Sequence, residues 1–153
     1  LRMVLLKDAR PEGLVFFTAY SSRKGRELDA NPHASVMFYW SGLDRQLRVE
    51  GNVKKVSTME SDDFFASRPL KSRISSIVSD QSEVIPDRDY LTQKADAIFS
   101  ESNEHSLKRP VNWGGYILVP RVYEFWQGRE NRLNDRIRYD LIKNGWEMSR
   151  LAP

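Results

Sequence analysis

The chain of 153 residues contains no cysteine and only two histidines, His33 and His105. Without thiols it has neither a disulfide framework nor a thiolate metal site, and its redox compartment is left open. The two histidines are far apart in the sequence and lack the spacing of a ligand pair, which argues against a zinc site. We therefore expect no bound metal.

Long apolar runs and net charge are also scarce. No apolar run approaches the roughly 20 residues that cross a bilayer, and no signal-peptide pattern opens the sequence. The net charge of +3, from 24 Lys and Arg against 21 Asp and Glu, is too small to indicate a nucleic-acid binder. These features predict a cytoplasmic protein that binds neither membrane nor nucleic acid, and a few phosphate-binding cations would account for the charge.

The remaining composition is that of an ordinary globular domain. Hydrophobic residues make up 40% and charged residues 29% of the chain, a balance that argues against disorder. The length suits one domain over residues 1–153. Because the chain begins inside an apolar run, we expect an N-terminal segment to be missing.

Turn signals and period-two alternation predict a β-rich chain with three helices. The expected strands are Leu1–Lys7 paired with Leu14–Thr18, a buried strand Ala34–Trp40, a half-buried strand Arg45–Val56, Tyr116–Val119 and Arg121–Gln127 separated by Pro120, and the hairpin Ile137–Leu141 with Trp146–Leu151. The expected helices are a serine-capped helix ending at Asn31, a Ser57-capped helix through Ser67, and Asp87–Glu101. We assign the aromatics of Ala34–Trp40 and the apolar stripe of the last helix to the core.

The run from Glu124 to Arg136 concentrates aromatic, amide and cationic groups around one expected turn. Trp126 offers a flat face, Gln127 an amide, and Arg132 and Arg136 forked cations that suit anionic oxygens. Such a set suits a flat, phosphorylated ligand. A strand edge with solvated charges is the alternative for this stretch taken alone.

A second candidate is the segment Ser21-Ser22-Arg23-Lys24-Gly25, which precedes or opens the first helix. Free backbone N–H groups at a helix start and two cationic side chains together favour an anion. A phosphate is plausible there, although most such pairs of cations are solvated.

These segments resemble those of a known family when they are taken in order. The run EFWQGxxxRLxDR, with Trp146 and the ending Arg150-Leu151-Ala152-Pro153, resembles the C-terminal signature of the pyridoxine/pyridoxamine 5'-phosphate oxidases. The earlier runs RxxLLK followed by FFT, SRK, RQxxVEG, FFASRPLKS, SxQS and WGG match in family order. The resemblance implies an α+β, mainly β fold, the FMN-binding split barrel, which is an antiparallel Greek-key barrel with flanking helices. It also implies a homodimer with FMN at the subunit interface.

The resemblance also assigns residues to the two ligands. By it, the FMN-binding positions are Arg2, Met3, Val4, Leu5, Leu6, Lys7, Phe17, Thr18, Arg23, Lys24, Gln46, Gln81, Ser82, Trp126 and Arg136. The substrate-binding positions are Lys7, Phe64, Arg68, Ser72, Arg132 and Asn134, of which Arg132 and Asn134 are the catalytic pair.

This chain departs from the family pattern on the substrate side. Phe64 stands where the family usually has tyrosine, and Asn134 stands where the family motif RLHDR has histidine. Asparagine does not titrate near neutral pH, so a general acid or base role at that position is lost. Arg73-Ile74-Ser75 replaces the family's Gln-Ile-Gly, and the added cation either compensates or reshapes the pocket.

The resemblance implies FMN-dependent oxidation of pyridoxine or pyridoxamine 5'-phosphate to pyridoxal 5'-phosphate, with O2 as acceptor and H2O2 as product. The departures at Phe64 and Asn134 leave two alternatives open: an oxidase with slower kinetics, or an FMN-binding paralogue that acts as a pyridoxal phosphate or flavin carrier or sensor. A β-barrel interaction module without flavin would make every matched segment a coincidence.

Overall fold

The computed structural model describes residues 1–103 and 106–153, so His105 lies outside the described residues. The strands are β1 (Asp8–Arg10), β2 (Gly13–Ala19), β3 (His33–Trp40), β4 (Arg45–Lys55), β5 (Trp113–Gln127), β6 (Asp135–Ile142) and β7 (Gly145–Arg150). The helices are α1 (Arg23–Ala30), α2 (Thr58–Ser67), α3 (Leu70–Val78) and α4 (Arg88–Glu101), with short 3-10 turns at Ser41–Leu43 and Glu130–Arg132.

The strands form one hydrogen-bonded sheet in the order β1-β2-β5-β4-β3, and β6 pairs with both β5 and β7. The pairs β3–β4, β5–β6 and β6–β7 are antiparallel. The chain divides into two compact units: unit 1 comprises residues 1–8, 15–31 and 55–117, and unit 2 comprises residues 9–14, 32–54 and 118–153. Each unit is described in turn.

Unit 1 is built around an aromatic cluster. Ala19, Phe65 and Trp113 are buried together, and Phe17 and Phe64 pack against them. Gly114 follows Trp113 where the backbone passes close to Tyr20, because a Cβ atom at Gly114 would lie 2.1 Å from the Tyr20 hydroxyl. The glycine allows the close approach expected from the sequence.

Side-chain caps begin the three helices that the sequence predicts. Ser22 Oγ accepts from the Gly25 N–H, Ser57 Oγ from the Glu60 N–H, and Asp87 from the Tyr90 N–H. Each cap satisfies a backbone donor that has no partner inside the helix. The predicted positions of these helices are thereby confirmed.

Unit 2 contains the buried side of β4 and the β6–β7 hairpin. Val49 is fully buried and Val53 is nearly so, as their alternation predicts. In the hairpin Leu141 pairs with Trp146 and Ile142 with Gly145. Gly145 has φ +128°, a conformation that residues with side chains rarely adopt.

Two predicted strand boundaries are wrong. Leu1–Lys7 does not form a strand, although the Lys7 N–H donates to the Val15 carbonyl at 2.9 Å. The first hairpin is formed by β1 and β2 instead. Residues 116–127 are not split at Pro120, since β5 runs through it. A proline removes only one N–H from a ladder and leaves the extended backbone intact. Gly51 gives Val119 room there, because a Cβ atom at Gly51 would lie 2.0 Å from the Val119 carbonyl oxygen.

The two assignments to the core are also wrong. Met37, Tyr39 and Trp40 of β3 are 62%, 55% and 47% exposed, so these side chains do not belong to the core of the described residues. No residue of α4 is buried, and Phe99 is 46% exposed. An apolar pattern predicts which side chains share a face but not whether another element covers that face.

Helix α3 is absent from the sequence-based prediction. It begins directly after Pro69 without a side-chain cap, and three of its nine residues are serine, which is typical of loops. Among the described residues, none of the helices has the length and apolar character that crossing a membrane requires.

Candidate functional site

A cavity of about 500 Å³ opens in unit 1. Its lining comes from the N-terminal segment, β2, α1, α2, the α2–α3 junction, α3, the segment after α3 and the start of β5. The lining residues are Met3, Val4, Leu5, Lys7, Phe17, Thr18, Ala19, Lys24, Phe64, Arg68, Pro69, Ser72, Ser75, Ser76, Ser79, Gln81 and Trp113. We call this cavity the unit 1 pocket.

The charged side chains that line the unit 1 pocket are all positive. Lys7, Lys24 and Arg68 line it, and no carboxylate is present among its lining residues. Burial, with a smaller effect from nearby Arg2, lowers the pKa of Lys24, and burial lowers the pKa of Arg68. A lowered pKa means that the protein environment disfavours the cation, so a bound anion would relieve that cost. The pocket therefore suits an anionic ligand.

Lys24 lies at the first turn of α1, where the Ser22 cap holds the helix start. Its ammonium group donates to Thr18 Oγ1 and lies 3.4 Å from Gln81 Oε1. Thr18 Oγ1 and Gln81 Oε1 are themselves 2.8 Å apart. Three residues from separate parts of unit 1 thus meet around one ammonium group.

Two other cations predicted to bind FMN, Arg2 along the flavin and Arg23 at its phosphate, lie outside the pocket lining. Glu27 accepts from Arg2 at 2.7 Å and from Arg23 at 2.8 Å. The hydrogen bond from Arg23 is the largest cause that holds the pKa of Glu27 below its usual value. Among the predicted residues of unit 1, Leu6 and Ser82 also lie outside the lining.

Arg68 follows the last residue of α2 and lies over an aromatic wall. Its guanidinium carbon is 4.9 Å from the ring centroid of Trp113, within the range of a cation–π contact. Its Nη1 donates to Ser76 Oγ at 2.6 Å. Phe64 stacks on Phe17 with ring centroids 3.8 Å apart. Because both residues are phenylalanine, this side of the wall carries no hydroxyl.

Unit 2 holds a second, smaller cavity of about 290 Å³. Gln46 of β4 and Trp126 of β5 both line it, together with Trp40 and Arg45. Arg45 donates to Gln127 at 2.6 Å, and Gln127 in turn donates to the carbonyls of Leu43 and Asp44. Gln127 therefore anchors the end of β5. Gln46 and Trp126 line the same cavity, and their assignment to the flavin stays a prediction.

Arg136 lies opposite Trp126 in the β5–β6 pair but is held by other groups. Its Nε and Nη2 donate to Glu124 at 2.9 and 2.8 Å, and its Nη1 donates to the Ala152 carbonyl at 2.9 Å. Glu124 is only 4% exposed and also accepts from Arg48 at 2.5 Å. Burial would raise the pKa of Glu124, but the hydrogen bonds from Arg136 and Arg48 outweigh it and lower the pKa.

The loop between β5 and β6 presents Arg132 on an exposed turn. Asn131 and Arg132 have φ values of 55° and 62°, two successive left-handed residues that are not glycine. Asn134 Oδ1 accepts from the Arg129 N–H at 3.1 Å, which closes this loop. This bond uses one of the two lone pairs of the Asn134 amide oxygen, and the NH2 group of Asn134 can donate two hydrogen bonds.

The structure thus brings the predicted residues into separate groups within each unit. In unit 1, Met3, Val4, Leu5, Lys7, Phe17, Thr18, Lys24, Phe64, Arg68, Ser72 and Gln81 share one pocket. In unit 2, Gln46 and Trp126 share a cavity, and Arg132, Asn134 and Arg136 belong to the β5–β6 connection and the start of β6.

Sequence reasoning missed the serine wall of the unit 1 pocket. Ser72, Ser75, Ser76 and Ser79 all line it, and only Ser72 is among the predicted residues. Their spacing of i, i+3, i+4 and i+7 is that of one helix face. Recognition of α3 as a helix would have revealed them. Glu124, the buried partner of Arg136, had no comparable sequence signal.

Comparison with known families gives two matches in chain order. A family model described as pyridoxamine 5'-phosphate oxidase matches residues 2–101. A second, described as the pyridoxine 5'-phosphate oxidase C-terminal dimerisation region, matches residues 113–153.

Curated relatives agree with these models. The pyridoxine/pyridoxamine 5'-phosphate oxidase of Neisseria meningitidis serogroup C is 52% identical over 152 residues, which are 99% of this chain and 72% of the relative. The protein of the same name from Mannheimia succiniciproducens is 51% identical with the same coverage.

Solved structures share the fold. PhzG from Burkholderia lata 383, in complex with tetrahydrophenazine-1-carboxylic acid, superposes with a TM-score of 0.93 at 31% identity, covering 99% of this chain and 74% of PhzG. A pyridoxamine 5'-phosphate oxidase-related, FMN binding protein from Nostoc punctiforme gives a TM-score of 0.76 at 14% identity, covering 99% and 80%. The α+β, mainly β class and the split-barrel fold are confirmed.

Proposed function

Because the chain belongs to the pyridoxine/pyridoxamine 5'-phosphate oxidase family, we propose that it oxidises pyridoxine or pyridoxamine 5'-phosphate to pyridoxal 5'-phosphate, with FMN as cofactor and O2 as acceptor. The observation that carries this function is the unit 1 pocket, in which Lys7, Lys24 and Arg68 line one cavity without a lining carboxylate. Both FMN and the substrate carry a phosphate, so such a pocket supports their binding.

The residues present fit FMN. Its phosphate suits Lys24, whose pKa is lowered by burial and by Arg2, and the exposed Arg23 one residue earlier on α1. The amide of Gln81 and the hydroxyl of Thr18 offer hydrogen bonds beside Lys24. In unit 2, Gln46 and Trp126 offer an amide and a flat face, which suit the polar edge and the face of a flavin ring.

When bound, FMN supplies the redox chemistry, the oxidation of the substrate carbon and the reduction of O2 to H2O2. The chain's residues hold and orient the substrate. Arg68 and Lys7, with Ser72, bind its phosphate, and the planar guanidinium of Arg132 stacks on its ring and stabilises developing charge. Arg136, which donates to Glu124, would contact the flavin.

The active form we propose is a homodimer with FMN at the subunit interface. The dimerisation-region model covers residues 113–153, and apolar side chains of that region are exposed in the single chain. Phe125 is 47% and Trp146 is 43% exposed, and both line an aromatic groove with Tyr123 and Tyr139. A second copy would remove this apolar surface from water.

A second candidate function is an FMN-binding carrier or sensor of pyridoxal 5'-phosphate with little turnover. Two observations favour it. Asn134 offers no titrating group, and its amide oxygen is already engaged by Arg129. Phe64 places a phenyl ring, stacked on Phe17, where a hydroxyl would otherwise contact phosphate.

Flavin absorbance of the purified protein and peroxide release test the function together. We expect a yellow protein that releases H2O2 when pyridoxine 5'-phosphate is added. Flavin absorbance without peroxide would favour the carrier, and a colourless protein that takes up no added FMN would refute both candidates. Tetrahydrophenazine-1-carboxylic acid, the compound bound to PhzG, serves as a comparison substrate; peroxide from it alone would reassign the substrate.

Replacing Lys24 with methionine is expected to weaken FMN binding about tenfold or more. The reason is that the substitution removes a hydrogen bond to a charged group, and the free energy of such a bond corresponds to a loss of about this size. Only the ammonium form binds the phosphate, and burial lowers the pKa of Lys24. Wild-type affinity should therefore fall as pH rises, and the fall should begin below the ordinary lysine pKa of 10.5. Quenching of FMN fluorescence, followed from about pH 7 to about pH 10, measures the FMN affinity at each pH.

Two controls separate the phosphate contact from general effects. Riboflavin lacks the phosphate, so its affinity should change little with Lys24→Met. Lys143→Met removes an exposed lysine of the β6–β7 turn and should leave FMN affinity unchanged. Equal FMN affinity in Lys24→Met and wild type would contradict the assigned contact.

A further inference from the structure

Phe64 leaves one wall of the unit 1 pocket without a hydrogen-bonding group. Its ring stacks on Phe17 with an interplanar angle of 17° and lies nearly parallel to Trp113, at 5° and 6.3 Å. A phenyl ring held in this stack cannot donate to an oxyanion. The binding of an oxyanion in this part of the pocket therefore depends more on the neighbouring cation, Arg68.

Ser76, on the serine face of α3, supplies such a contact. Its hydroxyl oxygen accepts from Arg68 Nη1 at 2.6 Å and lies 3.2 Å from the Ser72 carbonyl oxygen. A carbonyl only accepts, so the hydroxyl hydrogen is directed to Ser72 and a lone pair is directed to Arg68. Ser76 therefore acts as a fixed acceptor for the guanidinium.

Arg68 is held on two sides by groups that carry no charge. Trp113 lies against its face at 4.9 Å, and Ser76 holds one of its nitrogens. Within the described residues it has no carboxylate partner at ion-pair distance, and burial lowers its pKa. A guanidinium has five N–H donors in a planar fork, so fixing one nitrogen sets the direction of those that remain.

We propose that Ser76 is a positioning residue that orients Arg68 for the phosphate of the substrate, whose binding depends more on Arg68 because Phe64 offers no hydroxyl. This inference rests on the function proposed above, because it takes the anion bound at Arg68 to be that of a phosphorylated vitamer. Ser76 acts through Arg68 and stabilises the bound state of the phosphate without contacting the oxidised carbon.

The test compares Ser76→Ala, Ser76→Thr and the control Ser67→Ala in the FMN-loaded protein. Ser67 also bonds a backbone carbonyl, that of Phe64 at 2.8 Å, but lies outside the pocket lining. Affinities for pyridoxal 5'-phosphate and for pyridoxal, which lacks the phosphate, are measured by absorbance titration. KM and kcat are measured with pyridoxine 5'-phosphate.

Ser76→Ala is expected to weaken pyridoxal 5'-phosphate about tenfold and to raise KM by a similar factor, with pyridoxal affinity, FMN content and kcat unchanged. Threonine keeps the hydroxyl, so Ser76→Thr should restore affinity to within about twofold of wild type. Ser67→Ala should match wild type.

Other outcomes would overturn the assignment. Equal losses for pyridoxal and pyridoxal 5'-phosphate would indicate a structural role only, and so would a failure of threonine to rescue. If Ser76→Ala bound pyridoxal 5'-phosphate with wild-type affinity, Ser76 would not position Arg68 for the phosphate. A wild-type protein that binds pyridoxal 5'-phosphate but releases no peroxide would refute the proposed oxidase while leaving the Ser76 comparison intact. A wild-type protein that binds pyridoxal 5'-phosphate and pyridoxal with equal affinity would refute both the proposed oxidase and the role of Ser76.

Discussion

Replacing Glu124 with glutamine is expected to lower the free energy of unfolding by about 2–3 kcal/mol. Glu124 is 4% exposed and neutralises Arg48 and Arg136 at once. Breaking a buried ion pair from one side costs about 3–5 kcal/mol. The side chains of the two arginines are 39% and 31% exposed, so water offsets part of that cost. Urea denaturation measures the difference.

The dependence of stability on pH should also show the interaction of Glu124 with Arg48 and Arg136. The arginines hold the pKa of Glu124 below its ordinary value of 4.5, against the opposing effect of burial. A carboxyl group with a lowered pKa contributes stability above its unfolded-state pKa and loses that contribution as pH falls through the folded-state pKa. The loss of stability on acidification below about pH 5 should therefore be smaller in Glu124→Gln than in wild type.

Glu50 provides the matched control for this substitution. It pairs with the same Arg48 at 3.0 Å, but its side chain is 38% exposed. Surface pairs contribute about 0–1 kcal/mol, so Glu50→Gln should change the unfolding free energy by less than about 1 kcal/mol. Equal effects of the two substitutions would show that burial of Glu124 does not matter.

Replacing Arg132 with alanine is expected to lower kcat/KM about a hundredfold or more while FMN content stays at the wild-type level. The reason is that its guanidinium is assigned to the substrate ring and to developing charge, whereas Lys24, Gln46 and Trp126 are assigned to the flavin. Steady-state peroxide release and flavin absorbance measure the two quantities. A parallel loss of flavin and turnover would contradict that division.

The left-handed backbone at Arg132 allows a sharper control. At φ 62° any residue with a Cβ atom is strained, and glycine is not. Arg132→Gly should therefore be more stable than Arg132→Ala by up to about 1 kcal/mol, yet equally slow. Arg132→Lys keeps the charge without the planar fork and should be intermediate. Recovery of turnover in the glycine variant would assign the defect to loop conformation and not to the missing guanidinium.

Local signals in the sequence predicted much of the fold. The caps Ser22, Ser57 and Asp87 each lie next to the helix that they begin, and the β6–β7 hairpin has its glycine at the turn. Such features depend on neighbours a few residues apart, which a single sequence displays. The extra helix α3 was missed because serine after proline is as typical of a loop as of a helix face.

Burial was predicted less well than periodicity. Trp40 and Phe99 belong to apolar patterns but are exposed in the single chain. The pattern of a strand or helix defines an apolar face, and only the position of that element among the others decides whether the face is covered.

By itself the sequence determined the starts of α1, α2 and α4, the turn of the β6–β7 hairpin and the family to which the motifs belong, because these are carried by residues close together in the chain. Only the tertiary structure decided that Lys7, Lys24 and Arg68 line one pocket, that Glu124 holds Arg136, and that Ser76 holds Arg68. The physical reason is that charges and hydrogen bonds act over a few ångströms in space, while the residues that share them come from different elements of the chain.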